Sequence, residues 1–218
     1  MIQLTLNQDA VARGLQVLCL GAHSDDIEIG CGGTVLRLAE QFRNCTFRWV
    51  VFSAVGPREA EARRAAALFT AAGHLHGPVL KQFRDGFMPF SGAEVKDVFE
   101  SLKQSVSPDL ILTHNAQDAH QDHRLISKLT WNTFRDHFIL EYEIPKYDGD
   151  MGRPGVFIPL TKDQCQQKVR HLMEAFPSQR AKAWFEENTF LSLMRLRGME
   201  CNAPSGYAEA FYCRKLVL

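Results

Sequence analysis

No stretch of this 218-residue sequence approaches the roughly 20 consecutive apolar residues that a membrane-spanning helix needs. The opening MIQLTLNQDA lacks a basic segment leading into an apolar one, so no secretory signal is expected. An excess of one charge is also missing. Lys and Arg number 25 against 25 Asp and Glu, and no bulk field draws the chain to nucleic acid or an anionic membrane. The six cysteines (Cys19, Cys31, Cys45, Cys165, Cys201 and Cys213) form no CxxC pair. Without a signal, reduced and structural thiols in a cytoplasmic protein are the expectation. Cys31 is set apart from the others only by lying inside the motif described next. No repeat, low-complexity tract or clean linker interrupts the chain, which favours one domain over residues 1–218.

What is present is an alternation of apolar strands and amphipathic helices. Strand patterns cover Leu15–Ala22, Thr46–Ala54 and Pro108–Asn115. Helical patterns cover Thr34–Phe42, Arg58–Gly73, Ala93–Val106 (with Ser91 a candidate cap) and His123–Asp136. The alternation predicts an α/β, Rossmann-like three-layer fold with a mostly parallel sheet. Trp49 and Phe52 fall in a strand and belong to the core. Further on, Phe138–Leu160 has strand-like ends around a Gly/Pro-rich loop, Thr161–Phe176 reads as a helix, and Tyr207–Leu218 as a closing strand. The loop carries Tyr147, Asp148 and Asp150. Its length suits a lid or a substrate wall as well as a plain surface excursion.

Two strand ends are loaded with metal-compatible side chains. GAHSDDIEIGCGG brings His23, Asp25, Asp26 and Glu28 after the first strand. THNAQDAHQDHRLI brings His114, Asp118, His120, Asp122 and His123 after the third. Parallel sheets bind ligands outside the carboxyl ends of their strands, so the two loops can share one edge. A catalytic zinc takes about three His or carboxylate ligands plus a water. One His and one Asp from the first loop with one His from the second meet that count, and a leftover acid can accept the proton of the water. Each residue alone is an ordinary cap or loop residue; the joint occurrence at two strand ends carries the reading, and spacing does not choose the ligands. GCGGT does not follow the GxGxxG order, and acids in the same loop would repel a pyrophosphate. Tight turning and close backbone approach are the expected uses of its glycines.

AHSDDIEIGCGGT resembles the AHPDDE-type opening motif of the PIG-L/LmbE-like N-deacetylases, and HQDHR (120–124) resembles that family's second motif. REAEARRAA, the RDGF turn at 84–87 and YAEAF near the end extend the likeness over most of the chain. The resemblance implies a divalent metal, most commonly zinc, held by His23, Asp26 and His123. It also implies Asp25 as general base and His120 as oxyanion stabiliser or proton-transfer group. An N-acetylglucosamine-type amino sugar or its conjugate is the implied substrate, and self-association is left open. Ser24 stands where the family usually has proline, which leaves the loop backbone freer. Glu28 falls one place later than the family's third acid, and its expected use is to bond backbone amides at the following helix start. Arg58 is a candidate sugar or phosphate clamp and Asp85 a candidate sugar-hydroxyl acceptor; the plain alternatives are a solvated arginine and a turn residue. His74, His76, His137 and His171 match no motif and are expected to be structural or superficial. The rival readings are an amidase on another small conjugate, for example a thiol, and a sugar- or nucleotide-binding module without chemistry.

Overall fold

The computed structural model describes residues 3–70 and 75–217. In chain order the elements are α1 (Gln8–Arg13), β1 (Gln16–His23), α2 (Asp26–Gln41), β2 (Thr46–Ser53), α3 (Pro57–Thr70) and β3 (Leu75–Leu80). Then come α4 (Gly92–Ser105), β4 (Leu110–His114), α5 (Gln121–Thr133), β5 (Ile139–Tyr142) and β6 (Val156–Leu160). The chain closes with α6 (Lys162–Ala175), α7 (Glu187–Glu200) and β7 (Tyr207–Tyr212).

One seven-stranded sheet runs in the order β3-β2-β1-β4-β5-β7-β6. The pairs from β3 through β5 are parallel, while β7 runs antiparallel to both its neighbours. Alternate residues of the buried strands feed opposite faces, as period-two side-chain geometry requires. Val17, Cys19, Trp49 and Leu112 join the core that also holds residues of α2, α3, α6 and α7. Leu18, Leu20, Phe52 and Ile111 join the core beneath α4 and α5. The expected three-layer α/β fold is present, with Trp49 and Phe52 fully buried.

The chain leaves β1 toward β2 and β3 on one side and returns to place β4 on the other. Strand order therefore reverses between β1 and β4, the crevice where open α/β sheets bind ligands. The loops after these two strands are the two that carry the His/Asp motifs.

The glycine segment departs from expectation. It does not turn: α2 begins at Asp26, eight residues before the helical pattern starts, and Gly30, Gly32 and Gly33 lie inside it. The close-approach half of the expectation does hold. A Cβ on Gly30 would run into the Tyr142 ring, and one on Gly32 into the Phe69 ring. At Cys31 the backbone leaves helical geometry (φ −143°, ψ 17°) and breaks α2 in two. The groups freed by the break are satisfied from distant chain. Glu209 of β7 accepts the amides of Gly33 (2.8 Å) and Thr34 (2.6 Å), and Lys168 of α6 bonds both Glu209 (2.7 Å) and the Ile29 carbonyl (2.6 Å). YAEAF thus supplies a buried cap to the second half of α2.

Some elements had no clear sequence signal. β3 is a half-buried edge strand containing Gly77 and Pro78, a composition that reads as loop. Neither α1 nor α7 was expected. Ser91 occupies the cap position of α4 without a side-chain hydrogen bond. The expected stop of α3 at Gly73, together with His74, lies outside the described residues. Thr161 and Gln164 cap α6 reciprocally, a sequence-local signal of the kind that sets helix starts reliably.

Candidate metal centre

His23 ends β1 and Asp26 opens α2, while His123 sits in the first turn of α5. Three of their atoms form a nearly regular triangle. His23 Nδ1 lies 3.2 Å from His123 Nε2 and 3.3 Å from Asp26 Oδ2, and His123 Nε2 lies 3.4 Å from Asp26 Oδ2. Tetrahedral zinc with bonds of about 2.0–2.1 Å requires its ligands to stand about 3.3 Å apart. The donor set fits such an ion in both chemistry and spacing.

Both imidazoles are held from behind by a carboxylate. His123 Nδ1 meets Asp118 Oδ2 at 2.9 Å, and His23 Nε2 meets Asp122 Oδ2 at 3.3 Å. Carboxylate–histidine pairs of this kind fix the tautomer and orientation of metal-binding histidines. Asp118 is itself held by Lys146 at 3.1 Å, and Lys146 also pairs with Asp150 at 2.5 Å. Asp150 accepts the Ala119 amide at 2.7 Å. The root of the 145–155 loop is thereby tied to the second motif, with Tyr147 exposed beyond it.

The electrostatics follow from crowded charge under little solvent. Burial alone would lower the imidazoles, but Asp26 and Asp122 hold His23 well above its ordinary range. His123 is likewise raised against burial, to about 9, by Asp26 and Asp118. Burial raises Asp26, yet the combined fields of His123, His23 and His114 carry it well below the usual carboxylate range. Asp25 ends up raised, because burial outweighs the opposing Arg58 guanidinium.

His114 is a rival for the third ligand, grouping with Asp26 and His123. It is fully buried, and burial with the nearby His123 lowers it to about 4. Its Nε2 already accepts the Ala22 amide at 2.9 Å and stands 3.3 Å from the Tyr142 hydroxyl. That lone pair is spent on the backbone, which makes His114 the floor of the site. Tyr142 was missed by sequence reading. It signals nothing locally, and its hydroxyl reaches Leu20 and His114 only through the β4–β5 pairing.

The other expected site residues are all nearby. Asp25, beside the triangle, is held by Arg58, with Oδ1 2.8 Å from the guanidinium. Arg58 also pairs with Glu61 at 2.8 Å and reaches Ser178 at 3.2 Å, so the expected sugar clamp is engaged inward. Asp85 is three-quarters exposed and reaches His23 Nε2 at 3.0 Å. His120 precedes α5 as its cap, with its ring 4.9 Å from that of His23. Asp122 pins the RDGF turn by accepting the Gly86 amide at 2.7 Å and the Met88 amide at 3.1 Å. Glu28 departs from expectation: it is fully buried, and among the described residues neither carboxyl oxygen has a hydrogen-bond partner, so it caps none of their amides. Burial pushes its carboxyl well above the usual range. Cys31 is buried too, with its thiol pushed up by burial, as suits a packing residue. His137 and His171 lie away from this edge, against Phe134 and Phe69.

The model of the PIG-L family, described as GlcNAc-PI de-N-acetylase, matches residues 18–134, more than half of the chain and both motifs. The protein belongs to the PIG-L family. Solved structures agree on the fold of this PIG-L member. The chain is similar to N,N'-diacetylchitobiose deacetylase from Pyrococcus horikoshii, with 19% identity, TM-score 0.71, and 95% of this chain and 86% of that one covered. It is also similar to the zinc-inhibited form of teicoplanin deacetylase, with 15% identity, TM-score 0.70, and coverage of 91% and 97%. A third likeness is to a 4-carboxy-2-hydroxymuconate hydratase from Pseudomonas putida, with 17% identity, TM-score 0.69, and coverage of 94% and 98%. At these identities the likeness shows the fold, and the hydratase shows that the fold also occurs outside deacetylases. Among the described residues no helix is long and apolar enough to cross a membrane.

Proposed function

We propose that the chain, acting as one catalytic unit, is a metal-dependent hydrolase that removes an N-acetyl group from an N-acetylglucosamine-type amino sugar or its conjugate. The triangle of His23 Nδ1, Asp26 Oδ2 and His123 Nε2 carries this reading, because its edges are those a tetrahedral ion needs. The match to a de-N-acetylase family supports the choice of an N-acyl amide over another hydrolysable bond.

A divalent ion held there, zinc by preference, would polarise the acyl oxygen and bring the pKa of a water toward neutrality. The rest is done by side chains. Asp25 takes the proton from the attacking water and later gives it to the leaving amine. Its raised carboxyl suits both directions of transfer, and Arg58 keeps it turned to one side. His120, at the mouth beside His23, donates to the oxygen that becomes negative as the carbonyl turns tetrahedral. Asp118 and Asp122 fix the ring planes of His123 and His23. Asp85, exposed at the rim, accepts a sugar hydroxyl, and Arg58 acts on the substrate through Asp25. The products are acetate and a free amine.

The test is acetate release from N-acetylglucosamine and its conjugates by metal-stripped protein, before and after Zn2+ is restored. Metal-dependent release of one acetate per sugar is expected. Full metal loading without acetate release from any such sugar would move the activity to another conjugate.

A further inference from the structure

Lys146 is a cation for which the reaction above has no use, yet its side chain is only 11% exposed. Its Nζ stands 3.1 Å from Asp118 Oδ1 and 2.5 Å from Asp150 Oδ2. Each of those carboxylates also accepts a backbone amide of the second motif. Asp118 Oδ1 takes that of His120 at 2.8 Å, and Asp150 Oδ2 takes that of Ala119 at 2.7 Å. One cation and two carboxylates thus close a ring around two successive peptide groups, directly before α5. We propose that Lys146 and Asp150 are positioning residues that aim the His120 ring at the reacting acyl oxygen. This rests on the hydrolase reading above, in which His120 is the oxyanion donor.

The latch is local on one side and remote on the other. Lys146 and Asp150 lie four residues apart, and Gly149 takes φ +65° between them, so the turn brings their charged ends together. Across the ring, His120 caps α5. Its Nδ1 accepts the Asp122 amide at 3.3 Å, which puts its proton on Nε2, the nitrogen free to donate. With the ring tied to its own helix start, the direction of that N–H follows the backbone of residues 118–120. Arg124 holds the Asp118 and Ala119 carbonyls from within the motif. The Ala119 amide is held from outside it, by Asp150. A donor to a developing oxyanion counts in proportion to how well it is aimed, so a hold on this backbone is a hold on the chemistry.

The experiment is a double-mutant cycle on zinc-loaded whole protein. Asp150→Ala removes the acceptor of the Ala119 amide and one partner of Lys146, and leaves Asp118 and the triangle untouched. Its kcat for acetate release should fall by about 10-fold or more with KM and zinc stoichiometry unchanged, since the aim of an oxyanion donor counts only in the transition state. Lys146→Met should show the same split, and Lys146→Arg, which keeps a cation for both carboxylates, should restore most of the rate. In a His120→Ala background, Asp150→Ala should cost no more than about twofold further, because the donor it aims is gone. An equal fall in both backgrounds, or an unchanged kcat, overturns the proposal. The 15N spectrum of the histidine rings reads the same aim without turnover, with the His120 signals identified by their loss in His120→Ala. Asp150→Ala should move those signals and leave the signals of His23 and His123 in place; His120 signals that stay put overturn the proposal. If the wild-type protein releases no acetate, the hydrolase reading fails, and the latch stands or falls on that spectrum.

Discussion

His23 Nδ1 stands 3.2 Å from His123 Nε2, two ring nitrogens brought together from chain positions 100 residues apart. Both imidazoles are mostly or fully buried, and both are held above their ordinary range by carboxylates. Two such rings repel when both are protonated, and their closeness is stabilising only if something negative or something metallic sits between them. Asp26 supplies the negative charge. It lies within 3.4 Å of each ring, and its carboxylate accepts the His23 backbone amide at 2.6 Å, which fixes it at the centre.

Metal uptake should therefore expel protons. In the metal-free protein His123 is raised to about 9 and His23 well above its ordinary range, so both carry protons near neutrality. An ion needs the neutral rings, so its apparent affinity should climb from pH 6 through about 9. The same shift makes metal-free stability fall with pH. A raised folded pKa contributes fully below the ordinary 6.5 and is lost as pH rises through about 9. Zinc titrations in buffers of differing ionisation enthalpy, and melting curves with a chelator from pH 6 to 9, check both signs.

Asp25→Asn is expected to separate binding from chemistry. The amide keeps the shape of the side chain and its contact to Arg58 but cannot take a proton. Zinc stoichiometry should stay at the wild-type value while acetate release falls by about 100- to 10,000-fold, the usual scale for losing a general base. Undiminished turnover in a fully loaded variant would remove Asp25 from that role.

The outer carboxylate behind His123 should matter nearly as much as a ligand. Asp118→Asn removes the charge at 2.9 Å from His123 Nδ1 and weakens the Lys146 pair. Zinc affinity is expected to fall by about 10- to 100-fold, as for other carboxylates behind metal-bound histidine. A Co2+-loaded sample should show a shifted visible spectrum, which a purely global loss of stability would not produce.

Most of this centre was legible in the sequence because its parts sit where strand ends can be read. The apolar runs ending at His23 and His114 placed both motifs on one sheet edge. What was hidden depends on contacts across the fold. Which acid stands behind which histidine cannot be read from DAHQDHR (118–124), since Asp118 and Asp122 differ in role only through the turn that leads into α5. Arg58 turns inward because Asp25 and Glu61 flank it in space. The glycines look like a turn in one dimension and prove to be helix, because the rings they accommodate, Tyr142 and Phe69, arrive from β5 and α3. β3 was hidden for a different reason: an edge strand with Gly and Pro lacks the apolar run that marks its buried neighbours.

The Glu209–Lys168 pair should prove costly to break and cheap to replace as a unit. Both side chains are nearly inaccessible, and together they satisfy two amides and one carbonyl at the break in α2. Glu209→Ala strands a buried ammonium and two helix-start amides, and should cost about 3–5 kcal/mol. Lys168→Met with Glu209→Gln removes both charges and keeps an amide oxygen for one of the two amides, so the double variant should recover part of that loss. Urea melts of the two variants check this. If Glu209→Ala were as stable as wild type, the second half of α2 would be holding its position without a cap, and the break at Cys31 would need another cause.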